Sequence, residues 1–249
     1  MLHTTRSRRL AAGLALSLTV ISAAACGDDD DDTTTADTTA AAVSTDACDA
    51  YVGLGGAFAG DPSQAGSLIE AFEATAPESL VDEAGIVAAT FTEMAEGGDP
   101  SALGEPEYTE AAAAVADAYV EGCETSEVLE VDGVDYGFEG LPAEIDAGRV
   151  AIRFTNATEH DEAHELVLFR KADGVTESVD ELLALPEEEA MAKMQMAGVV
   201  FADAPGAEAT TMVDLEPGSY VALCFIPMGG GDDGAPHFTG GMVAELEAR

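Results

Sequence analysis

LEPGSYVALCFIPMGGGDDGAPHFTGGMVAEL, residues 215–246, is the stretch whose reading decides the fold. Pro217-Gly218 signals a turn, and the apolar run from Tyr220 to Phe225 behind it predicts a buried strand with Cys224 near its end. His237 and Met242 follow Cys224 in that order, on a segment broken up by glycine. Gly229, Gly230, Gly231 and Gly234 allow the positive φ of a tight excursion, and Pro236 stiffens the approach to His237.

Upstream, residues 149–171 read RVAIRFTNATEHDEAHELVLFRK. Val150, Ile152 and Phe154 alternate as a half-buried strand, and 156–163 is a polar loop. His164 stands immediately before the apolar run Leu166 to Phe169, where it would share a strand face with Leu166 and Leu168, whereas His160 falls in the solvated loop. His164, Cys224, His237 and Met242 together offer two imidazoles, a thiolate and a thioether, a donor mixture suited to copper. At these residues, and in the PG-x-Y-x-x-x-C pattern, the C-terminal half of the chain resembles the cupredoxins. That resemblance implies a β-sandwich in which the four residues are metal ligands, with Met242 the weak axial one. The twelve residues between Cys224 and His237 outnumber those of the best-known cupredoxins, so this loop must fold back on itself.

Residues 1–25 carry Arg6, Arg8 and Arg9, then the apolar run Leu10 to Ile21, then small residues, which is the pattern of a secretory signal. Ser22 to Cys26 resembles a bacterial lipobox, although position 23 is alanine and not leucine, and it implies lipidation at Cys26. The next segment, 26–45, contains five successive aspartates and no apolar periodicity, so it is expected to stay disordered as an acidic tether. The expected location is therefore outside the cell, anchored to the outer face of the membrane through the N-terminal lipid. With 49 acidic against 9 basic residues and a formal charge of −40, nucleic acid is excluded as a partner.

From 46 to 124 the apolar spacing is helical. Tyr51, Val52 and Phe58 mark one helix, and Leu68, Ile69 and Phe72 a second opened by Asp61-Pro62. Leu80 to Met94 mark a third, and Tyr108 to Val120 a fourth. With Cys26 assigned to lipid, Cys48 and Cys123 bracket this region, and in an up-and-down bundle those ends meet. A disulfide there would contribute about 4 kcal/mol by restricting the unfolded chain. It would leave Cys224 unpaired, as a metal ligand or as an inert buried thiol.

From 127 to 249 the pattern is β. Leu129 to Phe138 predicts a hairpin around Asp132-Gly133, and Thr211, Val213 and Leu215 predict a strand before Pro217. Within this region Ser178 to Ala197 is a helical insertion, with a capping box at Ser178 and Glu181 and a second start at Pro186. Met191 and Met194, at helical spacing there, read as packing, although methionine clusters can hold copper(I). The expected fold class is two-domain α+β: a small N-terminal helical bundle, then a cupredoxin-like Greek-key β-sandwich with a helical insertion.

The function these readings imply is copper binding with single-electron transfer to a redox protein partner. The alternatives are a copper capture or delivery module, using Asp232 and Asp233 to pass the ion on, and a metal-free binding protein on the same fold. The run His160-Asp-Glu-Ala-His164 is not the HExxH of zinc proteases, and no phosphate loop or dinucleotide fingerprint is present, so an enzyme is not expected.

Overall fold

The computed structural model describes residues 43–59, 62–231 and 234–249. The secretory signal, Cys26, most of the acidic tether, Asp61, Asp232 and Asp233 lie outside the described residues. Ser44 opens the first helix, α1 (Thr45–Ala59), where its Oγ accepts from the Ala47 N–H at 3.1 Å. Then come α2 (Pro62–Thr75), α3 (Val81–Ala95) and α4 (Pro106–Gly122). Pro106 stands at the first position of α4, where a missing N–H costs nothing. The four helices pack around Phe72 and Tyr119, with Tyr51 between them at ring distances of 6.1 and 4.6 Å. Cys48, in α1, and Cys123, at the end of α4, are joined in a disulfide with their Cα atoms 5.8 Å apart. Among the described residues no helix is long and apolar enough to cross a membrane.

Two sheets follow. The first has the order β2-β1-β4-β7, built from β1 (Glu127–Val134), β2 (Gly137–Glu139), β4 (Gly148–Asn156) and β7 (Glu208–Leu215). The second has the order β3-β9-β8-β5-β6, from β3 (Glu144–Ile145), β5 (His164–Lys171), β6 (Met194–Ala202), β8 (Gly218–Leu223) and β9 (Val243–Ala248). The chain changes sheet on either side of β3, between β4 and β5, and on either side of β7, the crossing pattern of a Greek-key sandwich. Alternation places Val150, Ile152 and Phe154 in the core between the sheets with Leu166, Leu168, Val213 and Leu246.

The outer faces are covered as well. Ala151 and Met212 are cross-strand partners, and both belong to the helical core, so the bundle packs on the first sheet. Arg149 ties that seam with bonds to Asp214 at 2.8 and 2.9 Å and to Asp49 at 2.7 Å. Val167, Phe169, Val221 and Leu223, on the outer face of the second sheet, meet Val179 and Leu182 of the short helix α5 (Val179–Leu183). Ser178 and Glu181 form the capping box that starts α5, and Pro186 precedes α6 (Glu187–Met191).

Two readings of the sequence need correction. The first hairpin turns at Asp135-Tyr136 and not at Asp132-Gly133, with Val134 opposite Gly137 and a positive φ at Tyr136. Gly133 serves close packing instead, since a Cβ there would lie 2.7 Å from Phe154 Cζ. Met194 and Met196 do not continue a helix either; they begin β6, pairing with Lys171 and Phe169 of β5. The β-branched pair Val199-Val200 and the open edge of β5 outweigh the helical spacing of the methionines.

Candidate metal centre

Strand pairing brings the centre together. Val167 of β5 pairs with Leu223 of β8 in antiparallel register, so the start of β5 lies beside the end of β8. His164 opens β5, and Cys224 is the first residue past β8. The long loop after Cys224 then closes on itself. Met228 N–H donates to Ala235 C=O at 2.9 Å, and Pro227 faces Pro236 in an isolated bridge. The loop is thereby pinched together at Met228 and Ala235, and Gly229, at φ +79°, turns the chain just past the pinch. Beyond the bridge, His237 N–H donates to Ile226 C=O at 2.9 Å and Phe238 N–H to Cys224 C=O at 2.9 Å. His237 therefore sits next to Cys224 despite the intervening length.

Met242 is stitched to the same frame. Its N–H donates to His237 C=O at 3.2 Å, and its C=O accepts from Cys224 N–H at 3.4 Å. Its side chain reaches toward β1, where a Cβ on Gly133 would lie 3.3 Å from Met242 Cε. His164 is 1 % exposed, and Cys224, His237 and Met242 are 0 % exposed.

The donor atoms converge. His164 Nδ1 and His237 Nδ1 are 3.2 Å apart, and Cys224 Sγ is 3.5 Å from His237 Nδ1. One donor atom from each of the three residues lies within 4.8 Å of the others. Burial pushes both imidazoles below their usual range, helped at His164 by the neighbouring His237 ring and opposed at His237 by Glu162, which favours the neutral form of each. Burial also pushes the Cys224 thiol up to about 11, against the opposing pull of N–H groups of Glu165 and Ile226. Neutral imidazoles present lone pairs to a cation, and a cation offsets the cost of a buried thiolate. The residues present fit copper, whose preferred donors are imidazole, thiolate and thioether.

Other residues place these donors. The Glu165 N–H faces Cys224 Sγ at 3.5 Å, while its carboxylate accepts from Phe225 N–H at 3.0 Å. Burial raises the Glu165 carboxyl. Asn156 is fully buried; its Nδ2 donates to Glu162 C=O at 2.8 Å and to Ala202 C=O at 3.3 Å, which shapes the loop before His164. Tyr136 stands edge-on to the His237 ring at 5.0 Å. Sequence reasoning did not single out Glu162, Glu165, Asn156 or Tyr136. The only signal for the first two was an acidic residue close on either side of His164, in a chain where acidic residues are everywhere. His160 lies apart from the centre, with a side chain 63 % exposed and its Nε2 3.8 Å from Asp135 Oδ2. Cys26, the predicted lipid site, lies outside the described residues.

No family model and no curated protein sequence matches the chain. The solved structures to which it is similar include cupredoxins and, over about half of this chain, multicopper oxidases. Auracyanin from the photosynthetic bacterium Roseiflexus castenholzii is 20% identical, with a TM-score of 0.33, over 51% of this chain and 99% of that one. Auracyanin A, described as a "blue" copper protein from Chloroflexus aurantiacus, is 17% identical with a TM-score of 0.29, over 49% and 98% of the two chains. Rusticyanin from Thiobacillus ferrooxidans is 14% identical with a TM-score of 0.32, over 50% and 79%.

Proposed function

We propose that this chain is an extracytoplasmic, lipid-anchored copper protein that carries single electrons between redox protein partners. The observation that carries this reading is the convergence of His164, Cys224 and His237, all buried, with Met242 held by the backbone of the same loop. Cys224 and the two imidazoles would hold the metal, with Met242 as a weak fourth donor. Copper supplies the redox step, gaining and losing one electron. The protein's part is to keep the donors in one arrangement. His164 is fixed by the β5–β6 pairing, opposite Ala202, Cys224 by its bonds to Met242 and Phe238, and His237 by its bond to Ile226. A frame that does not rearrange between the two charge states keeps reorganisation small and transfer fast.

Burial of all three donors supports a carrier over a capture or delivery module, because passing an ion onward requires an open ligand face. We further propose that residues 46–124 are a helical domain and 127–249 the copper domain, with residues 26–45 as the tether from a lipidated Cys26. The outer face of the cell membrane is the proposed location.

The test is copper loading of the full chain. The expected result is one copper per chain and a thiolate-to-copper(II) absorption band at about 600 nm, of the kind a trigonal copper-thiolate site gives. Cys224→Ser should abolish tight binding and the band, because a hydroxyl stays protonated where the thiolate would bond. A colourless protein that retains only copper(I) would overturn the electron-carrier reading.

A further inference from the structure

Glu162 reaches the centre from the loop before His164, and its side chain is 12 % exposed. Its Oε2 lies 3.2 Å from His237 Nε2, the ring nitrogen that faces away from Cys224 and His164. The contact is close but poorly aligned, since the ring N–H does not point straight at the oxygen. The other oxygen, Oε1, accepts from Gly229 N–H at 2.6 Å, just past the pinch. One carboxylate thus touches both the His237 ring and the loop that carries it. Tyr136 completes the enclosure, edge-on to the ring, with the same carboxylate beside its hydroxyl. The Nε2 atoms of His164 and His237 are both buried without an aligned hydrogen bond, but among the described residues only that of His237 has a carboxylate oxygen beside it.

We propose that Glu162 is the positioning residue of the centre: its carboxylate clasps His237 Nε2 and the Gly229 amide together and so sets which ring nitrogen faces the metal. The inference rests on the reading of His237 as a copper ligand. A carboxylate beside Nε2 keeps the ring proton there, so Nδ1 presents its lone pair toward His164 and Cys224. Two acceptor oxygens are required because two donors face the group. Glutamine has one oxygen, so Glu162→Gln can satisfy His237 or Gly229 but not both. The negative charge also lies one ring away from the metal, where it stabilises copper(II) more than copper(I) and increases the donor strength of the imidazole. Delivery of Glu162 depends on Asn156, whose buried amide holds the Glu162 peptide carbonyl at 2.8 Å.

The experiment uses the full chain as wild type, Glu162→Gln and Glu162→Ala, each metal-free and copper-loaded. Nitrogen-resolved NMR of the metal-free protein should place the His237 proton on Nε2 in the wild type and show mixed tautomers in Glu162→Ala. Copper(II) affinity should fall about 10–100-fold in Glu162→Ala. The balance between copper(II) and copper(I) should shift at least about tenfold toward copper(I) in both variants, or ~59 mV upward for one electron. Gly229 amide protection should fall as the clasp opens. Loss of Gly229 protection with tautomer and potential unchanged would reduce Glu162 to a loop fastener and overturn the proposal. A wild type that takes up no copper would sink the ligand reading instead, while the metal-free tautomers still decide the role of Glu162.

Discussion

Cys224 should make the metal-free protein unusually sensitive to alkali. Its side chain is fully buried, and burial raises the thiol from 9.0 to about 11. Between those values the unfolded chain has given up its proton while the folded chain keeps it. Unfolding then releases a proton, and rising pH favours unfolding. The contribution is fully present below 9.0 and is lost as pH rises to about 11. At about 1.36 kcal/mol per pH unit, the two-unit displacement amounts to about 3 kcal/mol.

The assay is urea denaturation of metal-free wild type and Cys224→Ala, from about pH 8 to about pH 11. Subtracting the two curves removes the buried tyrosines, including Tyr108, which burial pushes up to about 12. The wild type should lose about 3 kcal/mol more than the variant across that range. Parallel curves would refute the reasoning, because the thiol would then titrate alike in both states. Copper loading should remove the effect, since a bound thiolate has already lost its proton. In the same range the copper affinity of the wild type should rise about tenfold per pH unit, the slope for displacement of one proton.

Replacing Cys48 and Cys123 together with alanine opens a link spanning 75 positions, and it should cost about 4 kcal/mol in a denaturant melt. Met242→Leu should leave copper affinity within about tenfold of wild type but raise the reduction potential in voltammetry, because an axial thioether is a weak donor. His160→Ala should change neither copper binding nor spectrum, whereas His164→Ala should weaken binding and alter the band. The opposite outcome would reassign the upstream ligand. Cys26→Ser should release the protein from the membrane fraction without changing its copper spectrum; equal retention of the mutant would remove the anchor.

The parts of the fold legible in the sequence were those with strong local signals. Helical spacing, Pro62, Pro106 and the Ser178–Glu181 box mark helices that the structure contains. The strands carrying Val150 to Phe154 and Leu166 to Phe169 were legible from alternation or from unbroken apolar runs. What was not legible depended on contacts between distant segments. Asp132-Gly133 looks like a turn until Phe154 is seen to occupy the space a Cβ would need. The two-residue strand β3 owes its existence to parallel pairing with β9, about a hundred positions away. Glu162 and Glu165 take their roles from His237 and Phe225, which spacing alone does not bring near.

The layers outside the sandwich bear on how the centre works. Antiparallel sheets commonly leave one face to water, and alternate strand residues then stay solvated. Here β5, which begins at His164, and β8, which runs up to Cys224, are buried on both faces for most of their length. Leu166, Leu168 and Ala222 fill the inner core, while Val167, Phe169, Val221 and Leu223 meet α5 and its neighbours outside. β4 is held likewise, with Ile152 inward and Ala151 against the helical bundle. A strand packed on both sides resists the small shifts that would open the gap between His164 and Cys224, because close-packed side chains transmit displacement to every neighbour. The helical bundle, which contributes no donor, and the α5–α6 insertion therefore bear on the centre through stiffness. The pinched loop serves the same end: it is drawn together at Met228 and Ala235, so the path from Cys224 to His237 behaves as a short one.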